Sequence, residues 1–281
     1  MFEDVGKIHP IELLAKRFPQ MYLPIKEGEN KTEEYKNAVL RGGSVDYTLG
    51  FSMSPEDSYE RVTTPAGDAE VFFVSSREDF EHCIRALAHR CEPAAIPESM
   101  GASTISGLIN WEKIRAHEDD LDSFLADKSN YLDTVIILSG GPYSAVPADT
   151  MGLTRDEWTE KSVTIRKYHE LTHFVSRKLF PENKDSIRDE IIADMDGIIS
   201  AFGYYDTAAA RLFLGTEGSS YRPGGRLQNY IGDGNIEEIV KKSNSLIDLF
   251  YGIVDNMNAS NVFDILAYIE KNKIGIYTTE A

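Results

Sequence analysis

The chain reads as an α+β protein, and three observations say so. Its N-terminal half alternates short β-patterned runs with helical stretches. Its C-terminal half reads as helix after helix. The change of character follows a turn-forming loop, Ser139-Gly140-Gly141-Pro142. A length of 281 residues suffices for one large domain or two small ones with a real core. The expected division is a sheet-containing lobe over 1–153 and a helical lobe over 154–281.

The elements follow in order. Thr32 to Leu40 is a short helix closed by Gly42-Gly43. Val45 to Ser52 has strand character. Tyr59 to Thr63 and Ala69 to Ser75 form a hairpin around Pro65-Ala66-Gly67-Asp68. Arg77 to His89 has helical periodicity, with Phe80, Ile84, Leu87 and Ala88 on one side. Ser103 to Ile109 and Leu132 to Leu138 are strands, and Trp111 to Leu125 between them is helical. Thr154 to Phe180 is one long helix: Thr154 and Glu157 make a capping-box pattern, Arg177 and Lys178 suit its C-terminal dipole, and Pro181 stops it. Ser186 to Phe202, Asp206 to Leu214, Ile236 to Met257 and Val262 to Asn272 complete the helical set.

Composition narrows the function classes. Forty-six acidic against 29 basic residues give a formal net charge of −17. Such a surface repels nucleic-acid phosphates and anionic membranes, so neither is an expected partner. Cys83 and Cys91 lie eight positions apart in a helical pattern, about 12 Å by helical rise, too far for a disulfide. Two buried reduced thiols fit a cytoplasmic chain and exclude a thiolate-rich zinc site. The N-terminus shows no apolar run of signal-peptide length. Oligomeric state is open.

Chemistry concentrates in His169-Glu170-Leu171-Thr172-His173. On the long helix Ile165, Tyr168, Thr172, Val175 and Leu179 form the inward stripe, with both histidines beside it. Four residues apart, the imidazoles share one helix face and can reach one tetrahedral metal. Glu170 is rotated by about 100° from His169 and can reach a water on that metal without being a ligand. A catalytic zinc needs a third protein ligand and an open position. The next helix supplies one in Glu190, with Asp194 one turn later on the same face. Asp194 can accept a hydrogen bond from the outer nitrogen of a ligating histidine. Ala193 and Gly197 leave room for the two helices to approach. The pair His82 and His89, the acidic run Asp119-Asp120-Leu121-Asp122 and Asp196 read as structural or solvated groups.

HExxH followed by ExxxD on the next helix resembles the gluzincin metallopeptidases, the thermolysin-like clan. The string Glu190 to Gly197, ExxADxxG, looks like the form carried by CAAX-processing and heat-shock peptidases of that clan. The resemblance covers about thirty residues. The membrane segments of those enzymes are missing here, so their substrates do not carry over. The resemblance implies a zincin-like fold and a soluble Zn2+ peptidase acting on peptides or proteins. The implied ligands are His169, His173 and Glu190, with Glu170 as general base for the metal-activated water and Asp194 orienting a histidine. It also implies a transition-state donor after the Glu190 helix, and Tyr221, in the glycine-rich loop Gly218 to Gly225, is the expected residue, ahead of Arg222, Tyr204 and Tyr205. The cleft is expected between the lobes, with Ser103 to Ile109 as the edge strand that pairs with substrate. The alternative is a metal-binding or regulatory protein on the same scaffold without turnover.

Overall fold

The computed structural model describes residues 8–46, 48–183, 185–218, 220–230, 234–257, 259 and 261–275. They form an α+β fold: a four-stranded mixed sheet with helices before, between and after its strands. Two compact units emerge, Met1–Val62 with Ala69–Pro97 and Ala102–Gly140, and Thr63–Asp68 with Glu98–Gly101 and Gly141–Ala281.

The first unit opens with a helix not anticipated above, α1 (Pro10–Arg17). Its signal is present: Pro10 occupies the first turn, and His9 Nδ1 accepts from the Ile11 N–H at 3.2 Å. Thr32 caps α2 (Glu33–Tyr35), which runs into a π-helical turn over Lys36–Leu40. The strand expected over 45–52 is not formed among the described residues there. The Ser52 N–H instead donates to both carboxylate oxygens of Asp79 at 3.1 Å, so its backbone serves a helix N-terminus rather than a ladder. β1 (Ser58–Thr64) and β2 (Gly67–Val74) are sheet neighbours joined by Pro65-Ala66. After them come α3 (Arg77–Leu87), β3 (Ala102–Ile109) and β4 (Leu132–Ser139).

Strand order is β1-β2-β4-β3. β4 pairs parallel with β2, Val71 opposite Ile136, and antiparallel with β3, Ser103 opposite Ile137. A register shift between Ser106 and Leu108 falls at Gly107, whose φ of +77° suits glycine. β4 is central, so Val135 to Leu138 are buried as a continuous apolar run, and β3 is an edge.

Between β3 and β4 the helix expected over Trp111–Leu125 is broken into α4 (Trp111–Arg115), a 3-10 turn at Glu118–Asp120 and α5 (Leu121–Leu125). Three carboxylates after Arg115 oppose a helix C-terminal dipole, and α5 buries no residue that would hold a longer helix in place. Cys83 is buried on α3; Cys91 lies beyond it, with a left-handed backbone. Burial pushes both thiols up, Cys91 to about 12.

The second unit is helical. Its segment 141–153, expected in the N-terminal lobe, clusters here because it packs on the long helix α6 (Arg155–Leu179). The Trp158 indole donates to the Val146 carbonyl at 2.7 Å, and the Tyr143 N–H to Ser162 at 2.9 Å. Thr154 caps α6 through the full capping box with Glu157. The inward stripe ends a turn early, since Leu179 is 45% exposed. α7 (Ser186–Phe202), capped by Asp185 rather than Ser186, is followed by α8 (Thr207–Leu214), a 3-10 segment at Arg226–Tyr230, α9 (Ile236–Asn256) and α10 (Val262–Lys271). α7 touches α6, α8, α9 and α10, and every residue from Ile191 to Ile198 is buried. Fully buried Arg188 on α7 pairs with Glu270 of α10 at 3.0 Å, and Ser176 and Asn183 donate to the same carboxylate. Among the described residues no helix is long and apolar enough to cross a membrane.

Gly197 sets the α6–α7 crossing. A Cβ there would stand 2.7 Å from the Ile165 carbonyl oxygen and 2.9 Å from its Cγ2. Backbone cannot yield as a side-chain tip can. Gly197→Val is expected to lower stability by about 1–3 kcal/mol through overpacking, read as a lower urea midpoint at unchanged slope.

Candidate metal centre

A largely buried helix carrying four carboxylates needs a reason for each, because an unpartnered buried charge is costly. On α7, Asp189 pairs with its neighbour Arg188 at 3.3 Å, which leaves Glu190, Asp194 and Asp196. Asp196 is fully buried and accepts from the Thr172 hydroxyl at 2.8 Å. Burial pushes its carboxyl well above the usual carboxylate range, and its place is in the core, not on the surface that its sequence context suggests. The other two face the histidines of α6.

His169, His173 and Glu190 converge, with one ligand-capable atom from each lying within 4.8 Å of the others. The two Nε2 atoms are 3.1 Å apart. His169 Nε2 is 3.4 Å from Glu190 Oε2, and His173 Nε2 is 3.3 Å from Glu190 Oε1. A tetrahedral ion with bonds of 2.0–2.1 Å sets its ligand atoms about 3.3–3.4 Å apart. The two His–Glu distances end on different Glu190 oxygens, so the group could hold a metal ion through both imidazoles and the Glu190 carboxylate. Glu170 follows His169 on α6 and is half-buried.

Asp194 lies directly behind His169. It is 1% exposed, and its Oδ1 stands 2.9 Å from His169 Nδ1. An ionised carboxylate only accepts, so Nδ1 carries the hydrogen and Nε2 turns toward the cluster. Burial opposes charge on His169, but Asp194 and Glu190 outweigh it and push the imidazole up to about 9. A metal bound at Nε2 would have to displace that proton. Burial likewise favours protonated Glu190 and Asp194. His169 and His173 hold the Glu190 carboxyl far below its usual range, and Arg226 with His169 holds Asp194 low.

Three residues of this site escaped sequence reasoning. Tyr143 comes from a loop that reads only as a turn; its hydroxyl donates to Asp194 Oδ1 at 2.7 Å and lies 3.1 Å from His169 Nδ1. Ser144 and Ala145 beside it have φ of 50° and 57°, strained for non-glycine residues. Arg166 of α6 secures this loop by donating to the Gly141 and Pro142 carbonyls at 2.8 Å. Arg226 and Tyr230 share the 3-10 segment Arg226–Tyr230. Arg226 grips Asp194, and the Tyr230 hydroxyl donates to Glu190 Oε2 at 2.8 Å. Burial raises the Tyr230 phenol well above its ordinary range, so it stays a donor.

Tyr221, the donor expected from the sequence, lies in the loop that precedes the 3-10 segment Arg226–Tyr230. Its hydroxyl donates to the Gly225 carbonyl at 2.6 Å, closing its own loop, and Arg222 pairs with Glu217. Tyr205 is buried and Tyr204 is 58% exposed. The tyrosine bonded to a ligand carboxylate is Tyr230, a few residues further on.

No curated protein and no solved structure matches the chain. A family model described as a family of unknown function, DUF7005, matches residues 3–264, and the chain belongs to that family.

Proposed function

We propose that this protein is a zinc-dependent hydrolase of the metallopeptidase kind, with His169, His173 and Glu190 as ligands. The observation that carries the reading is the convergence of the three side chains: one possible ligand atom from each lies within 4.8 Å of the others, the two Nε2 atoms are 3.1 Å apart, and each has a Glu190 oxygen within 3.4 Å. The gluzincin-like order of residues, HExxH then ExxxD, supports it, since the aspartate of that pattern bonds His169. Zinc held there supplies a Lewis acid for a carbonyl and lowers the pKa of a water.

The chain's own residues do the rest. Glu170 accepts the proton of the attacking water and passes it to the leaving amine. Asp194 fixes the His169 tautomer and ring direction. Tyr230, ahead of Tyr221, is the donor for the developing oxyanion: its hydroxyl stands at the ligand cluster, 2.8 Å from Glu190 Oε2, and would turn from that carboxylate to the substrate oxygen, whereas the Tyr221 hydroxyl bonds its own loop at Gly225. Peptides or proteins are the substrates.

The test is metal analysis of protein purified without added zinc, followed by assay on a broad peptide library. Zinc with cleavage supports the reading; zinc without cleavage leaves a metal-binding protein; no zinc removes both. With a substrate in hand, Tyr230→Phe is expected to lower kcat by about 10²-fold with zinc retained, the scale of one lost transition-state donor. Tyr221→Phe, assayed beside it, is expected to stay near the parent rate.

A further inference from the structure

We infer that Arg226 is a positioning residue for the metal centre, acting on His169 through Asp194 and Tyr143. The inference rests on the metal-site reading above.

The geometry is specific. Arg226 Nη2 lies 2.6 Å from Asp194 Oδ1 and 2.7 Å from Oδ2, so one nitrogen is shared by both carboxylate oxygens. Its Nη1 donates to the Tyr143 hydroxyl at 2.5 Å and to Ser144 Oγ at 3.3 Å. Tyr143 in turn donates to the same Asp194 oxygen that faces His169 Nδ1. The guanidinium, the phenol and the imidazole therefore converge on one carboxylate. Asp194 is 1% and the Arg226 side chain 13% exposed. Both terminal nitrogens of Arg226 are bonded within the protein, which leaves it a structural cation rather than a substrate anchor.

The physical need is clear. Asp194 is buried next to a second carboxylate, Glu190, whose Oε2 is 3.7 Å from Arg226 Nη2. The two carboxylates stand on adjacent turns of one helix, and Arg226 is the arginine that reaches both. Without Arg226, Asp194 loses the donor that touches both of its oxygens and Tyr143 loses the one that holds its hydroxyl, so the acceptor behind His169 Nδ1 is no longer fixed in place. The planar guanidinium spans the Asp194 carboxylate and the Tyr143 hydroxyl at once, which the single ammonium of a lysine does less well. Arg226 also begins the 3-10 segment that ends at Tyr230, so one short stretch grips the carboxylate behind His169 and a ligand carboxylate together.

The experiment is zinc affinity by chelator competition on the full chain, for the parent, Arg226→Ala, Arg226→Lys, Asp194→Asn and the double variant Arg226→Ala/Asp194→Asn. Circular dichroism of the metal-free proteins serves as the folding control. Arg226→Ala is expected to weaken zinc about 10–100-fold, the usual loss for an outer partner of a ligand, with lysine recovering part of it. With Asp194→Asn already present, removing Arg226 is expected to change affinity by no more than about twofold, because the charge it serves is gone. Parent-like affinity in Arg226→Ala overturns the inference, and so do single losses that multiply in the double variant. If Arg226→Ala does not fold, Arg226→Lys is read alone: weakened binding supports the role and parent-like binding overturns it. A parent that takes up no zinc removes the metal-site reading and this inference together, whereas a parent that binds with an unaffected Arg226→Ala removes only this one.

Discussion

His169→Ala and His173→Ala should each abolish zinc retention, taking the protein from about one ion per chain to none that survives a chelator wash. The expectation follows from the cluster's geometry. Each imidazole contributes one of three ligand atoms, and Glu190 lies 3.3–3.4 Å from both. Removing one leaves two possible ligands and a carboxylate that has lost one of its two imidazole partners. Metal analysis by inductively coupled plasma spectrometry checks it. If both variants hold as much zinc as the parent, the metal is bound elsewhere. The variants should fold, because the Arg188–Glu270 pair and the α6–α7 contact at Gly197 lie apart from these side chains in sequence and do not use them.

Glu170→Gln is expected to remove hydrolysis almost completely, by about 10²–10⁴-fold, while zinc content and stability stay at parent values. The amide matches the carboxylate in shape but cannot accept the proton of the attacking water. Glu170 lies beside the ligand face of α6 and is absent from the His169–His173–Glu190 set, so its replacement should leave metal uptake untouched. The split between unchanged zinc and lost turnover separates a base from a ligand. A variant that keeps most of the parent rate on an identified peptide takes Glu170 out of this role.

Much of the site was legible because it is written in local spacing. His169 and His173 share a face by helical geometry, and Glu190 and Asp194 repeat the same offset on the next helix. Only a turn separates the helices, so the sequence constrains how their faces meet. The α+β character and most element positions were legible for the same reason, as with the Thr154–Glu157 capping box and the apolar run Val135 to Leu138. Where the chain departs from expectation, a long-range bond decides. Ser52 turns its backbone to Asp79, so residues 45–52 form no strand among the described positions. The helix expected over Trp111–Leu125 breaks because its second half finds no apolar surface to cover.

By itself, then, the sequence determined two short helical motifs, an acidic composition and the identity of the residues that converge. Tertiary structure decided what surrounds them. Tyr143, Arg226 and Tyr230 carry no mark in their local pattern, and two of them follow a glycine-rich loop in which Tyr221 looked the better choice. They matter because burying Asp194 and Glu190 on α7 creates charges that need donors, and only the folded chain brings those donors within 3 Å. Periodicity records which face of a helix turns inward; it does not record which distant side chain satisfies the polar group found there.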